Sequence, residues 1–183
     1  MLNTIINKNK LNLFNYKFLN DNIIIIYDFI NNDEQNELLQ IAKMSDINNW
    51  QFSAEKLSKY LVVNNFSITK KITDRLQSIL QDQSLTTTGF YTMHKFEIND
   101  MMPEHIDYGD LYGNLVQGGV LYLNDEFSGG ELLYTDLGIE VKPVSKSLLV
   151  HTAEEPHMVK KILFGTRYSM PFFVLKDVSI LSN

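Results

Sequence analysis

From Ser84 onward the sequence is a series of short apolar segments separated by turn residues, and this pattern limits the fold more than any other feature. The predicted strands cover residues 89–98, 102–107, 116–124, 130–134, 139–142, 147–152, 157–162 and 166–175. Residues that favour turns, among them Asn99-Asp100, Ser128-Gly129-Gly130 and Gly165, separate these segments. About eight short strands within about 90 residues predict a β-sandwich or a β-barrel.

The first half of the chain carries helical patterns instead. Residues 22–27 are rich in β-branched side chains and predict a strand. Asn31 is an N-cap candidate, and apolar residues at helical spacing follow it, which predicts an amphipathic helix over residues 33–45. The same spacing predicts a second helix over residues 68–81. We expect residues 1–20 to form a loosely held lead-in.

The order of these patterns predicts the domain organisation and the fold class. A length of 183 residues fits one domain. Within it, residues 1–84 are expected to supply a strand and supporting helices, and residues 85–177 the β core. Helices followed by a run of strands predict helices that buttress one face of a β core, so the expected class is mainly β with flanking helices.

Charge and cysteine content exclude several classes of function. The formal net charge is -6, which disfavours a protein that binds duplex nucleic acid. The chain has no cysteine, which excludes a disulfide scaffold, a thiol nucleophile, cysteine-ligated zinc and iron–sulfur clusters. The most apolar run, Ile23 to Tyr27, is far shorter than the roughly 20 residues of a membrane helix, and the first residues lack the features of a secretory signal. We therefore expect a cytoplasmic protein that binds neither nucleic acid nor membrane.

Two histidines and an aspartate stand at spacings typical of a metal site. In His105-Ile106-Asp107 the histidine and the carboxylate are two residues apart, so on a strand both side chains project from one face. His157 begins another candidate strand, and two histidines with one carboxylate form the facial triad of non-haem Fe(II) oxygenases, which leaves coordination positions open. Arg167 and Ser169, also two apart, offer a bidentate fork and a hydroxyl to a carboxylate, as a chelating keto acid would require.

These motifs, in this order, resemble the Fe(II)/2-oxoglutarate-dependent dioxygenases, and most of all the prolyl 4-hydroxylase-like branch. The matching pieces are His105-x-Asp107, Tyr122-Leu123-Asn124 with Gly129-Gly130-Glu131-Leu132, and His157-x-Val159 running to Gly165-x-Arg167-x-Ser169. The match is close over residues 89–175 and looser over Asp21 to Ala42, which resembles the usual lead-in of that branch. The resemblance implies a double-stranded β-helix, or jelly roll, buttressed by the N-terminal helices.

The resemblance also implies cofactors and residue roles. It implies Fe(II) ligation by His105, Asp107 and His157, and binding of the distal carboxylate of 2-oxoglutarate by Arg167, Ser169 and Tyr122. The implied cofactors are Fe(II), 2-oxoglutarate and O2, with ascorbate as an optional reductant. The implied reaction hydroxylates an unactivated C–H bond while 2-oxoglutarate becomes succinate and CO2.

Several positions bear on the substrate. Asp107 favours hydroxylation, because the related halogenases carry a small residue there, and Phe173 stands where nucleic-acid demethylases carry a second arginine. Phe96 stands where prolyl hydroxylases often have a tyrosine, and Met102 stands where they often have an aromatic residue. These differences leave the target amino acid open. A protein or peptide side chain such as proline is the leading expectation, a small molecule or free amino acid is the alternative, and a catalytically silent binding module is the third. Residues 108–113 are either a substrate-binding lip or an ordinary loop.

Five further residues carry a structural interpretation beside a functional one. His94 is predicted to be a partly exposed strand residue rather than a residue near the site. His151 is predicted to be a core or rim residue rather than a ligand. Tyr91 is predicted to be a core aromatic residue rather than a ligand contact. Trp50 and Phe52 are predicted to be buried rather than to line an entrance.

Overall fold

Short strands and a few helices make up the computed structural model, which describes residues 6–52, 57–81, 84–107 and 114–176. The helices of this part are α1 (Lys8–Leu11), α2 (Asn32–Met44) and α3 (Phe66–Ile79), with a 3₁₀ turn over Ile47–Asn49. The strands are β1 (Asn15–Asn20), β2 (Ile23–Tyr27), β3 (Gln51–Phe52), β4 (Lys59–Val62), β5 (Leu85–Thr87), β6 (Thr92–Phe96), β7 (Met102–His105), β8 (Leu115–Tyr122), β9 (Ser128–Gly129), β10 (Leu132–Tyr134), β11 (Ile139–Val141), β12 (Leu148–Thr152), β13 (His157–Val159), β14 (Ile162–Phe164) and β15 (Arg167–Lys176).

The strands form a larger and a smaller antiparallel sheet. The larger sheet has the order β1-β2-β12-β8-β15-β6-β4-β3, with β5 paired to β15. The smaller sheet has the order β11-β10-β13-β7, and β14 pairs with β9 in a separate ribbon. Strands that are distant in sequence are neighbours in both sheets: His157 of β13 pairs with His105 of β7, and Ser169 of β15 lies between Tyr122 of β8 and His94 of β6. This topology brings the motifs of the sequence into one region.

Strand alternation divides the buried residues of the larger sheet between two cores. In β2, Ile24 and Ile26 pack with the helices, while Ile23 and Ile25 pack with residues of the smaller sheet. All four side chains are at most 7% exposed, and burying each stabilises the fold by about 2 kcal/mol. The larger sheet is therefore the middle layer, with helices on one face and the smaller sheet on the other.

Helices α2 and α3 are held together by a buried ion pair. Asn31 caps α2, its side chain accepting from the Glu34 backbone while the Glu34 carboxylate accepts from the Asn31 backbone. Glu34 is only 2% exposed, and Arg75 of α3 donates to both of its carboxylate oxygens at 2.9 and 2.7 Å. The second contact of Arg75 Nη1, to the Phe29 carbonyl at 2.6 Å, ties α3 to the loop before α2.

Most predicted elements are confirmed, and the main error lies at the N-terminus. Both predicted helices are present, and most strands of the second half lie close to their predicted bounds. The predicted strand 157–162 is wrong in extent, because β13 ends at Val159 and Ile162 begins β14, and the short strands β5 and β9 were not predicted. The prediction of a loose lead-in over residues 1–20 is wrong for the described residues 6–20, because Leu11 is fully buried and β1 pairs with β2 at the edge of the larger sheet. None of the helices in the described part of the chain combines the length and the apolar character needed to cross a bilayer.

Candidate active site

The topology gathers the two histidines and the aspartate predicted as metal ligands. His105 ends β7 and His157 begins β13, and the two are cross-strand partners with ring centroids 4.4 Å apart. The predicted strand 102–107 is too long, because β7 ends at His105 and Asp107 lies just beyond it. Oδ1 of Asp107 is nevertheless 3.9 Å from Nε2 of each histidine. One ligand atom from each residue lies within 4.8 Å of the others, a separation that a single metal ion can bridge.

Backbone hydrogen bonds fix the orientation of both imidazoles. Nδ1 of His105 donates to the Pro103 carbonyl at 2.9 Å, and Nδ1 of His157 donates to the Glu155 carbonyl at 2.8 Å. Because a carbonyl only accepts, each neutral ring carries its proton on Nδ1 and presents the lone pair of Nε2 toward Asp107. This is the usual arrangement of metal-binding histidines, in which the second nitrogen is anchored by an outer partner.

The electrostatics of the three residues fit a divalent cation. Burial raises the pKa of Asp107, while the neighbouring His157 and His105 oppose that rise. Burial likewise lowers the pKa of His157, so the imidazole tends to be neutral. The Asp107 carboxylate is largely removed from water, and a bound metal ion would supply its compensating charge. Two nitrogens and one oxygen suit Fe(II) of the facial-triad type and leave positions for other ligands.

A buried arginine faces the same cavity. Arg167 is 2% exposed, its Nη1 donates to Ser169 Oγ at 3.0 Å, and its guanidinium lies 5.0 Å from the Phe96 ring and 5.2 Å from the Tyr122 ring. Its Nε has no hydrogen-bond partner, and within the described ranges no carboxylate pairs with it. Burial lowers the pKa of Arg167 and raises that of the adjacent Tyr122 hydroxyl. A buried guanidinium without an anion is costly, so this pocket suits a carboxylate ligand.

The two groups of residues share one cavity of about 460 Å³. His105, Asp107 and His157 line part of its wall, and Arg167 with Ser169 lines another part. Apolar side chains form much of the remainder, including Phe96, Met102, Val120, Leu132, Val159, Pro171 and Phe173. A ligand can therefore contact the metal ligands at one end and the guanidinium at the other.

The other two histidines of the chain also line this cavity. His94 lies on β6 and is partly exposed as predicted, but it also lies near the site, which the prediction disfavoured. Burial and the Arg167 charge lower its pKa to about 4. His151 is 2% exposed, which confirms its prediction as a core or rim residue, and burial lowers its pKa to about 3. Its Nε2 nevertheless lies 3.5 Å from Asp107 Oδ2. Sequence spacing alone gave no signal for this contact, because it depends on which strands are neighbours.

The predictions for the three aromatic residues had mixed outcomes. Trp50 is 7% exposed and buried as predicted. The burial of Tyr91 and Phe52 was wrongly predicted, since they are 41% and 57% exposed. Tyr91 immediately precedes β6, and Phe52 ends the two-residue edge strand β3, so both lie at the margin of the larger sheet. The proposed lip, residues 108–113, lies outside the described residues.

Comparison with known proteins assigns the fold. No protein-family model matches the sequence, and no curated protein matches it significantly. Among solved structures, the viral collagen prolyl hydroxylase of Paramecium bursaria Chlorella virus-1, in complex with 2OG, superposes with a TM-score of 0.68 at 13% identity, covering 85% of this chain and 96% of that one. A prolyl-4-hydroxylase of Pseudomonas putida gives 0.63 at 16% identity, covering 92% and 96% of the two chains.

A third similar structure is the prolyl hydroxylase of Trichoplax adhaerens in complex with a hypoxia-inducible-factor peptide. It superposes with a TM-score of 0.64 at 17% identity, covering 96% of this chain and 90% of that one. All three similarities extend over most of both chains, so they concern the whole fold rather than a shared motif. The chain therefore has the fold of the 2OG-Fe(II) oxygenases, with a jelly-roll core and flanking helices, as the sequence resemblance implied.

Proposed function

We propose that the chain is an Fe(II)- and 2-oxoglutarate-dependent dioxygenase that hydroxylates an unactivated C–H bond. The observation that supports this most directly is the buried Arg167, which has no carboxylate partner among the described residues and shares a cavity with His105, Asp107 and His157. In the balanced reaction, substrate C–H, O2 and 2-oxoglutarate give substrate C–OH, succinate and CO2. A metal triad alone would suit several chemistries, whereas a triad facing a buried carboxylate subsite suits a chelating keto acid.

The residues have distinct roles in this proposal. His105, Asp107 and His157 would hold Fe(II), which, when bound, supplies the oxidation of the C–H bond by O2. Arg167 and Ser169 bind the distal carboxylate of 2-oxoglutarate, beside Tyr122. The apolar wall keeps water from the reacting groups and strengthens the ionic contact of Arg167. The protein thus contributes orientation and a dry cavity.

The substrate best supported is a protein or peptide side chain, such as proline. Among the described residues that line the cavity, Asp107 is the one carboxylate and Arg167 the one arginine, and no lysine is present. Both charges are engaged once metal and cosubstrate bind, so no arginine, lysine or carboxylate among the described lining residues is left to pair with the ammonium and carboxylate of a free amino acid. A peptide carries neither group at its target residue. The Trichoplax enzyme, of the same fold, was solved with a peptide fragment.

The experiment is a turnover assay of the protein reconstituted with Fe(II), 2-oxoglutarate and ascorbate. Proline-containing peptides and free amino acids are screened for stimulated succinate release and for a mass increase of one oxygen atom. We expect peptide-stimulated release, abolished in Asp107→Ala and retained in Asp74→Ala, which changes an exposed aspartate of α3. Oxygen insertion only into free amino acids would establish the small-molecule alternative. Absence of succinate under every condition would refute the dioxygenase proposal.

A further inference from the structure

The carboxylate of Asp107 rests on two residues of the larger sheet. Gly118 of β8 and His151 of β12 are cross-strand partners in that sheet. Asp107 itself leaves the smaller sheet after β7, and its backbone N–H donates to the Ala153 carbonyl at 3.1 Å, just beyond β12. The side chain of Asp107 therefore follows a strand of the smaller sheet but contacts the larger sheet.

Gly118 provides the space for this contact. A Cβ at this position would overlap Oδ2 of Asp107 and would lie 2.8 Å from its Cγ and 3.2 Å from Cε1 of His151. The backbone of Gly118 is not in the left-handed region, unlike Gly129 or Gly165, so its conformation does not require glycine. The absent side chain is explained by the carboxylate that occupies its place.

His151 covers the same carboxylate from the side. Its Nδ1 donates to the Thr152 carbonyl at 3.1 Å, and its ring stands edge-on to the His157 ring with centroids 4.5 Å apart. With its proton on Nδ1, the neutral His151 ring presents the lone pair of Nε2 at 3.5 Å from Oδ2 of Asp107, so it limits the space of this oxygen by contact and donates no hydrogen bond to it. The two predicted histidine ligands face Oδ1 instead. The two oxygens of the carboxylate thus have different surroundings.

We propose that Gly118 and His151 form a seat for Oδ2 of Asp107, and that this seat turns Oδ1 toward His105 and His157 as a one-oxygen metal ligand. The inference rests on the proposed function in that it takes Asp107 to be a metal ligand. Gly118 and His151 are positioning residues, because they act through Asp107. Residues that orient a ligand in this way typically change metal affinity about 10–100-fold when they are replaced.

The test measures the affinity of the metal-free protein for Co(II) by calorimetry and the visible absorption spectrum of the bound ion. We expect Gly118→Ala and His151→Ala each to bind Co(II) about 10–100-fold more weakly than the wild type, with an altered spectrum. Gly138→Ala is the matched control, since a Cβ there meets nothing within 4 Å. It should leave the affinity and the spectrum unchanged, although its positive φ of 61° costs stability.

A second measurement separates positioning from a general packing defect. Overpacking at Gly118 should lower the melting temperature of the metal-free protein by about 2–6 °C, and this loss should disappear in an Asp107→Ala background, where the carboxylate is absent. If Gly118→Ala does not fold alone, the double variant with Asp107→Ala should fold. Wild-type affinity and spectrum in both seat variants, or an equal thermal loss in both backgrounds, would overturn the seat. A wild-type protein that binds no metal would instead overturn the proposed function.

Discussion

At the scale of single residues, Arg167 places a permanent positive charge in an apolar layer between two aromatic rings. Its contacts with Ser169, Phe96 and Tyr122 orient the guanidinium but supply no negative charge. An unpaired buried ion raises the free energy of the folded state, and a bound anion removes that cost. We therefore predict that an anionic ligand completes the ion pair of Arg167.

Replacing Arg167 with methionine should therefore separate cosubstrate affinity from stability. We expect Arg167→Met to weaken 2-oxoglutarate binding by about 2–5 kcal/mol, or at least about 30-fold, because the buried charge pair is lost. The metal-free protein should be as stable as the wild type or more so, because an uncompensated charge is gone. Calorimetric titration with 2-oxoglutarate in the presence of Mn(II) and urea unfolding measure the two quantities.

The matched control is the other arginine of the chain. Arg75→Met removes the partner of buried Glu34, so it should destabilise the fold while leaving 2-oxoglutarate affinity unchanged. Equal affinities of Arg167→Met and the wild type would contradict the assignment of Arg167 to the cosubstrate.

Whether a site residue could be predicted from the sequence depended on its distance along the chain from its partners. His105, Asp107, His157 and Arg167 stand in motifs whose internal spacing is short, so local periodicity and resemblance were enough to find them. The pairing of Gly118 with His151 depends on β8 and β12 being neighbours, and residues about thirty apart give no local signal of that register.

At the scale of secondary-structure elements, the junction of α2 and α3 depends on one ionised group. Glu34 caps the first turn of α2 and pairs with Arg75 and Lys71 of α3, and hydrogen bonding to Arg75 lowers the pKa of Glu34 to about 2 from 4.5. Because the pKa is lower in the folded state, the stabilisation is complete above about pH 4.5. It is lost as the pH falls from there through about 2.

The pH dependence of unfolding should show this contribution. We expect Glu34→Gln to be about 2 kcal/mol less stable than the wild type at neutral pH, because it leaves Arg75 without a charge partner, and the difference should shrink toward pH 2. Urea unfolding of both proteins across this range measures it. Glu154→Gln, on an exposed turn, controls for net charge and should follow the wild type. A constant difference between Glu34→Gln and the wild type at all pH values would show that the loss does not depend on the ionisation of Glu34.

Elements with a strong apolar period were predicted, and those without one were not. Helix α3 carries Ile68, Ile72, Leu76 and Ile79 on one buried face, and the prediction placed its start within two residues of Phe66. Strand β1 contains no fully buried residue, and its sequence alternates only over Asn15 to Phe18, too short a run to predict a strand. Its pairing with β2 determines its structure. Strands β3 and β4 at the far edge of the sheet have only two and four residues, too few for a pattern that assigns them from the sequence.

At the scale of the whole molecule, the cavity lies between the two sheets and is lined from both. His105 and His157 belong to the smaller sheet, whereas Arg167 and Ser169 belong to β15 in the larger one. Asp107 spans the gap, since it follows β7 and rests against β8 and β12. Metal and cosubstrate, when bound, would therefore link the two sheets. Their binding should raise the free energy of unfolding of the whole domain.

Thermal unfolding should report this link in two separable steps. Mn(II) at about 100 times its dissociation constant should stabilise the wild type by about 2.7 kcal/mol, or about 5–10 °C, and saturating 2-oxoglutarate should add a comparable increment. Asp107→Ala should lose both increments, because the cosubstrate binds through the metal. Arg167→Met should keep the increment from the metal and lose the increment from 2-oxoglutarate.

Succinate lacks the 2-oxo group that chelates the metal, so it should stabilise the wild type less than 2-oxoglutarate does. Equal stabilisation of Asp107→Ala and the wild type by Mn(II) would place the metal elsewhere and separate the cavity from the chemistry proposed for it.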